Sequence, residues 1–125
     1  MARVITNQDW IALGLPGRNS HEIVSQRTGS QTATLRYVEI PVAQAGDAKR
    51  TMHLHHGVEE IIWVVGGEGV FETPAGRLSV RSGDVIQVPA DEPHVTRNVT
   101  SEPLRLLCFF PYPDVGRQTE NLQSE

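Results

Sequence analysis

The chain predicts an all-β fold of the antiparallel sandwich or barrel type. Three observations carry that expectation. Strand-length apolar segments rich in Val, Ile, Phe, Trp and Tyr recur through the middle of the sequence. Turn formers separate them at close, regular spacing. No long window shows the periodicity of an amphipathic helix. At 125 residues the chain suits one domain and is too short for two with separate cores.

Taken in order, residues 1–33 read as an irregular N-terminal or edge segment packing on the barrel. The stretch "NQDWIALGLPGRNSHEIVSQRTGS" is polar and interrupted, with room for a short helix or an edge strand. The barrel is expected over residues 34–111. "TLRYVEIPV" opens it, and "EIIWVV" and "GVFET" flank the turn at Gly66-Gly67. "RLSV" follows Pro74-Ala75-Gly76, and "DVIQVP" follows Ser82-Gly83-Asp84. "HVTRNV" is entered from a turn carrying Pro89 and Pro93, and "LRLLCFF" closes the series. Residues 112–125 are expected to form an extended, loosely held tail.

The bulk properties exclude several classes. With 38% hydrophobic and 21% charged residues, the chain can build a packed core. A formal charge of −4, with no cluster of Lys or Arg, argues against a nucleic-acid surface. Cys108 is the only cysteine, so no intrachain disulfide forms and nothing calls for an oxidising compartment. The opening "MARVITNQDW" lacks the apolar run of a secretory signal. The longest apolar runs, Ile61 to Val65 and Leu106 to Phe110, have five residues each, far short of a membrane span. A soluble cytoplasmic protein with no membrane partner is the expectation.

Chemistry concentrates in "HLHHGVEE", which puts His53, His55 and His56 next to Glu59 and Glu60. On a strand, residues i and i+2 share a face. His53 and His55 therefore project side by side, where two imidazoles can reach one ion, and His56 points away. A turn at His56-Gly57-Val58 brings the chain back to a carboxylate, and Glu59 and Glu60 face opposite ways. If Glu60 points inward, Ile62 and Val64 follow it and Trp63 points out. A His-x-His pair alone is weak evidence for a metal. His94, entering its own strand, supplies a third imidazole from elsewhere in the sequence.

Two spacings now matter together. His53-x-His55-x4-Glu60-x6-Gly67 is similar to the first motif of the cupin superfamily, and Gly83-x5-Pro89-x-Asp91-x2-His94-x3-Asn98 resembles the second. The short separation, residues 68 to 82, is like that of small bacterial single-domain cupins. Asp91 stands where the pattern usually has Gly, and Asp tolerates positive φ better than most residues. Six residues separate Gly46 from His53, where five is the common spacing, which implies a slightly longer loop.

The resemblance implies a double-stranded β-helix, or jelly roll, and one divalent metal held by His53, His55, Glu60 and His94. It favours Glu60 over Glu59. Iron, manganese or zinc is expected ahead of nickel or copper. Such a centre leaves coordination places open for a small substrate with two adjacent oxygens, such as a diketone, hydroxy acid or catechol-like group. The implied activity is that of a metal-dependent enzyme, dioxygenase-type slightly ahead of lyase, isomerase or cyclase. The alternative is a non-catalytic module that binds or senses a small sugar or carboxylate ligand.

Other residues take smaller parts. Arg36 shares a strand face with Val38 and Ile40, so it is a candidate substrate-binding residue that would hold a carboxylate, or else an exposed strand charge. His21 reads as a surface or interface residue, His56 as exposed or supporting, and Asn98 as a structural hydrogen-bonder. Cys108 reads as a buried, inert thiol. An outward Trp63 on a small barrel predicts a homodimer that covers it.

Overall fold

The computed structural model describes residues 1–123. It is an all-β jelly roll with almost no helix. In chain order the elements are β1 (Ile11–Ala12), β2 (Asn19–Val24), β3 (Thr34–Ile40), β4 (His53–His55), β5 (Glu60–Gly66) and β6 (Glu68–Thr73). They continue with β7 (Gly76–Arg81), β8 (Val85–Val88), β9 (Val95–Arg97), β10 (Leu104–Phe110), the single-turn helix α1 (Val115–Gln118) and β11 (Thr119–Asn121). A six-stranded sheet runs β1-β2-β3-β10-β5-β8, a three-stranded sheet runs β7-β6-β9, and β11 pairs with β4.

The alternation of apolar side chains decides which face of each strand turns inward. On β5, Glu60, Ile62 and Val64 are buried, and on β10 Leu104, Leu106, Cys108 and Phe110 are. They meet Phe71 and Val80 from the three-stranded sheet, so the core lies between the two sheets. Fully burying a side chain such as Leu104 or Phe110 is worth about 1.5–3 kcal/mol. Cys108 is buried with its neighbours as the alternation requires, and burial pushes its thiol up, with the Glu60 charge adding to the effect. It is an inert core group.

Gly67 shows why the β5–β6 turn ends in glycine. Its φ is +85°, and a Cβ there would lie 2.4 Å from the Pro103 carbonyl oxygen. Only a residue with no side chain fits both the turn and the close approach. At the turn before β9, Asp91 takes φ 68°, the one positive value outside glycine among the described residues. Its amide donates to the His55 carbonyl at 3.0 Å, and its Oδ1 accepts from the Gly57 amide at 3.1 Å. The departure from glycine thus serves a turn that ties the two motifs together.

Both ends of the chain are more ordered than the polar sequence suggests. β2 pairs along its length with β3, which makes the N-terminal segment part of the main sheet. Residues 112–123 of the tail are not loosely held, while residues 124 and 125 lie outside the described ones. Val115 is 1% exposed, the Thr34 hydroxyl donates to the Tyr112 carbonyl at 2.7 Å, and β11 runs antiparallel to β4 with Thr119 opposite His55. Backbone pairing along β4, invisible in composition, holds this segment.

Part of the outer face of the six-stranded sheet is apolar. Trp63 is 47% exposed beside Val65, Val85 and Phe109, and Trp63 lies opposite Val85 on one side and Leu107 on the other. No helix among the described residues is long and apolar enough to cross a membrane.

Candidate metal centre

The structure brings His53, His55, Glu60 and His94 together. One donor atom from each lies within 4.8 Å of the other three. β4 supplies the two histidines of the His-x-His pair on one face, β5 opens with Glu60, and His94 sits just before β9. A reciprocal backbone pair joins β4 to this last segment: each of His53 and His94 donates its amide to the other's carbonyl at 2.9 Å. Glu59 is not part of the group, because its carboxylate points outward and accepts from Gln87 at 2.9 Å. His56 also points out, 2.7 Å from Glu120.

Hydrogen bonds around the cluster fix which ring nitrogens face inward. His94 Nδ1 lies 2.8 Å from the Glu92 carbonyl, which can only accept, so Nδ1 carries the proton. The Thr119 hydroxyl donates to the Val115 carbonyl at 2.8 Å. It therefore accepts from His55 Nδ1 at 2.9 Å. Both Nε2 atoms consequently face Glu60, the His94 atom at 3.0 Å and the His55 atom at 3.3 Å. His55 Nε2 is buried and makes no hydrogen bond, its approach to Glu60 being poorly aligned.

The electrostatics match. Burial alone would push the Glu60 carboxyl up, but the imidazoles of His55 and His94 more than offset this and hold it well below the usual carboxylate range. Burial lowers His94, yet its contact with Glu60 and the Glu92 carbonyl leaves it above its ordinary value. Burial and the His94 charge pull His53 down to about 3. A proton between His94 and Glu60 satisfies one donor pair and leaves His55 Nε2 without a partner. A divalent cation answers all of them, because three imidazoles and a carboxylate form a nitrogen and oxygen donor set suited to a first-row metal. The residues fit a metal ion.

The cluster lies in the wall of an open cavity of about 1150 Å³. Val38, Ile40, Ile62 and Leu106 give this cavity its apolar wall. Arg36 also lines it, with a side chain 14% exposed and 3.6 Å from Glu22, so it is not a solvated strand charge. Arg18 and Arg50 enter from loops that read as ordinary polar connections, and nothing in their local sequence marks them. Thr119 was equally hidden, because its role depends on β11 returning to β4. Asn98 is structural, donating to the Ile40 and Glu102 carbonyls at 3.1 and 2.7 Å and accepting from Thr100. His21 stands apart from the metal group, its ring 6.1 Å from that of Trp10.

A jelly roll with a three-histidine, one-carboxylate cluster defines a class of β-barrel protein able to hold one metal ion. Residues 40–110 match the model of the cupin domain family, and the chain belongs to that family. It is 32% identical over 76 residues to an uncharacterised protein of Methanocaldococcus jannaschii, the match covering 61% of each chain. The chain thus matches about three fifths of that relative's length. Among solved structures it resembles Pac13, a nucleoside dehydratase of Streptomyces, at 12% identity and TM-score 0.79, covering 98% of this chain and 92% of that one. It also resembles the polyketide cyclase RemF of Streptomyces resistomycificus, at 20% identity and TM-score 0.74, covering 100% and 88%. These likenesses establish the fold, and enzymes are among the proteins that share it.

Proposed function

We propose that the protein is a mononuclear metal-dependent enzyme acting on a small oxygenated metabolite. One observation carries this reading: four buried or half-buried donors converge on one point in the wall of a large cavity, with His55 Nε2 left without a protein partner. His53, His55, Glu60 and His94 would hold the ion, with iron, manganese or zinc ahead of nickel or copper. A bound ion would supply Lewis acidity toward substrate oxygens and, where redox-active, access to dioxygen chemistry.

The chain's own residues do the rest. Thr119 and the Glu92 carbonyl keep His55 and His94 in the tautomer that presents Nε2. Ile62, Leu106 and the other apolar wall residues exclude water from one side of the substrate. Arg36 offers a cation to a substrate carboxylate. Of the two reaction types, dioxygenase-type oxidation of a chelating substrate is the first reading. The likeness to a dehydratase and a cyclase favours a second, a non-redox lyase or cyclase.

Oxygen-electrode assays of iron- and manganese-loaded protein with diketones, hydroxy acids and catechols, run beside anaerobic assays, separate the two. Uptake of oxygen with turnover supports the first, and turnover without oxygen supports the second. Absence of turnover under both conditions, with a bound ligand, would leave a non-catalytic module for a sugar or carboxylate. The same proposal includes a homodimer that covers the Trp63 face, and a cytoplasmic setting in which lone Cys108 stays reduced.

A further inference from the structure

Five buried side-chain polar atoms lack a hydrogen-bond partner among the described residues, and four of them belong to residues that line one cavity. His55 Nε2 belongs to the metal group. The other three are Ser20 Oγ, Arg36 Nε and Arg50 Nε. Unpartnered buried donors cost stability, so their gathering in one place marks a site built for something else.

The charge there is unbalanced. The chain carries −4 overall, yet five cationic residues and only two acidic ones line this cavity. Arg97 among the five is answered by Glu72 at 3.0 Å. Arg36 has Glu22 at 3.6 Å, but Glu22 also serves Arg27 at 3.0 Å and accepts from Ser25. Arg18 and Arg50 make no ion pair among the described residues. Each donates only to a carbonyl, Arg18 to Pro16 and Arg50 to Thr96, both at 2.9 Å.

The fold also forces these like charges together. A Cβ at Gly17 would lie 2.6 Å from Arg50 Cδ, so the β1–β2 loop that carries Arg18 rests on the Arg50 stem. Burial and the charge of Arg18 lower Arg50 to about 10, which leaves it cationic at neutral pH. Unpaired guanidinium groups half-buried beside apolar walls are expensive unless an anion completes them.

We propose that the cavity takes a small carboxylic acid, whose carboxylate is received by Arg18, Arg36 and Arg50 with Ser20 while its remaining oxygens face the four-donor cluster. A planar guanidinium fork matches a carboxylate in two parallel hydrogen bonds, and three forks from separate segments give direction as well as charge. This rests on the reading of the same cavity as the substrate site. It narrows the substrate from oxygenated metabolites at large to organic acids.

The test is calorimetric titration of malonate, succinate and glutarate into zinc-loaded protein and into metal-stripped protein. Succinamide serves as the neutral control and inorganic phosphate as the competing anion. The proteins are the wild type, Arg18→Gln, Arg50→Gln and, on the outer face, Arg105→Gln. Arg18 lies in a loop and contacts one carbonyl, so its replacement leaves the sheets alone. The expected result is saturable binding of at least one dicarboxylate, no binding of succinamide, and an affinity loss of about tenfold or more in the Arg18 and Arg50 variants. Arg105→Gln should match wild type, and zinc content should be equal in all four. If dicarboxylates bind through the arginines but no zinc is retained, the acid assignment stands and the metal-enzyme reading falls. If zinc binds normally and the dicarboxylates bind no better than succinamide, the acid assignment is overturned. Tighter, arginine-dependent binding of phosphate than of any dicarboxylate overturns it too.

Discussion

Replacing Thr119 by Val removes one hydroxyl and keeps the shape of the side chain. In the structure that hydroxyl accepts from His55 Nδ1 at 2.9 Å and donates to the Val115 carbonyl at 2.8 Å. His55 is 4% exposed, so water does not readily replace the lost partner. Two consequences follow. The metal-free protein keeps a buried donor unpaired, at a cost of about 1–3 kcal/mol. His55 also loses the contact that holds its proton on Nδ1, and the tautomer with a protonated Nε2 cannot coordinate.

Loss of such a supporting hydrogen bond lowers metal affinity about 10- to 100-fold, or about 1.4–2.8 kcal/mol. Competition for zinc against a chromophoric chelator measures it, with Thr119→Ser as the variant that keeps the hydroxyl. Thr119→Val should bind zinc more weakly by that factor, and Thr119→Ser should stay near wild type. A Thr119→Val affinity within twofold of wild type would refute the claim that this hydroxyl sets the His55 tautomer.

Three other outcomes follow from the same structure. In metal-free protein the folded state keeps His53 neutral down to about 3, whereas an unfolded chain protonates it near 6.5. The unfolded state then binds more protons in that window, so the denaturant midpoint should fall as pH drops from about 6.5 toward 3. The depressed Glu60 carboxyl adds to the fall below 4.5. The raised His94 works the other way, its contribution being full below 6.5 and lost as pH rises. His53→Gln should flatten the upper part of the acid limb, and parallel midpoint curves for the two proteins would contradict this. Gly67→Ala meets both the positive φ and the Pro103 carbonyl, so calorimetry should show a loss of at least about 2 kcal/mol. If the proposed homodimer forms, Trp63→Glu should convert it to a monomer in sedimentation velocity, and a variant that stays dimeric would remove the Trp63 face from the interface.

The residues that were legible in the sequence are those whose role follows from local periodicity. The alternation in "EIIWVV" and "LRLLCFF" places Glu60, Ile62, Leu106 and Cys108 inward and Trp63 outward, as the structure shows. The donor set was legible only through the resemblance of the two spaced motifs to those of cupins, and the structure brings its four residues together. What stayed hidden depends on partners distant in sequence. β2 reads as polar because two of its buried residues are Ser20, which lines the cavity, and Glu22, which pairs with Arg27 and Arg36. The tail is polar because backbone hydrogen bonds, not apolar burial, dock β11 on β4. Arg18 and Arg50 stand in loops with no local sequence signal, and only the folded cavity shows that they line it.

The central claim, that four residues hold one metal ion, is tested most directly by plasma mass spectrometry of the protein after loading with iron, manganese, zinc, nickel or copper and removal of free metal. Wild-type protein should retain close to one ion per chain with at least one of these metals. His55→Ala and His94→Ala should retain almost none while keeping the wild-type far-ultraviolet dichroism. Full occupancy in either variant, or no retained ion of any kind in the wild type, would contradict the account.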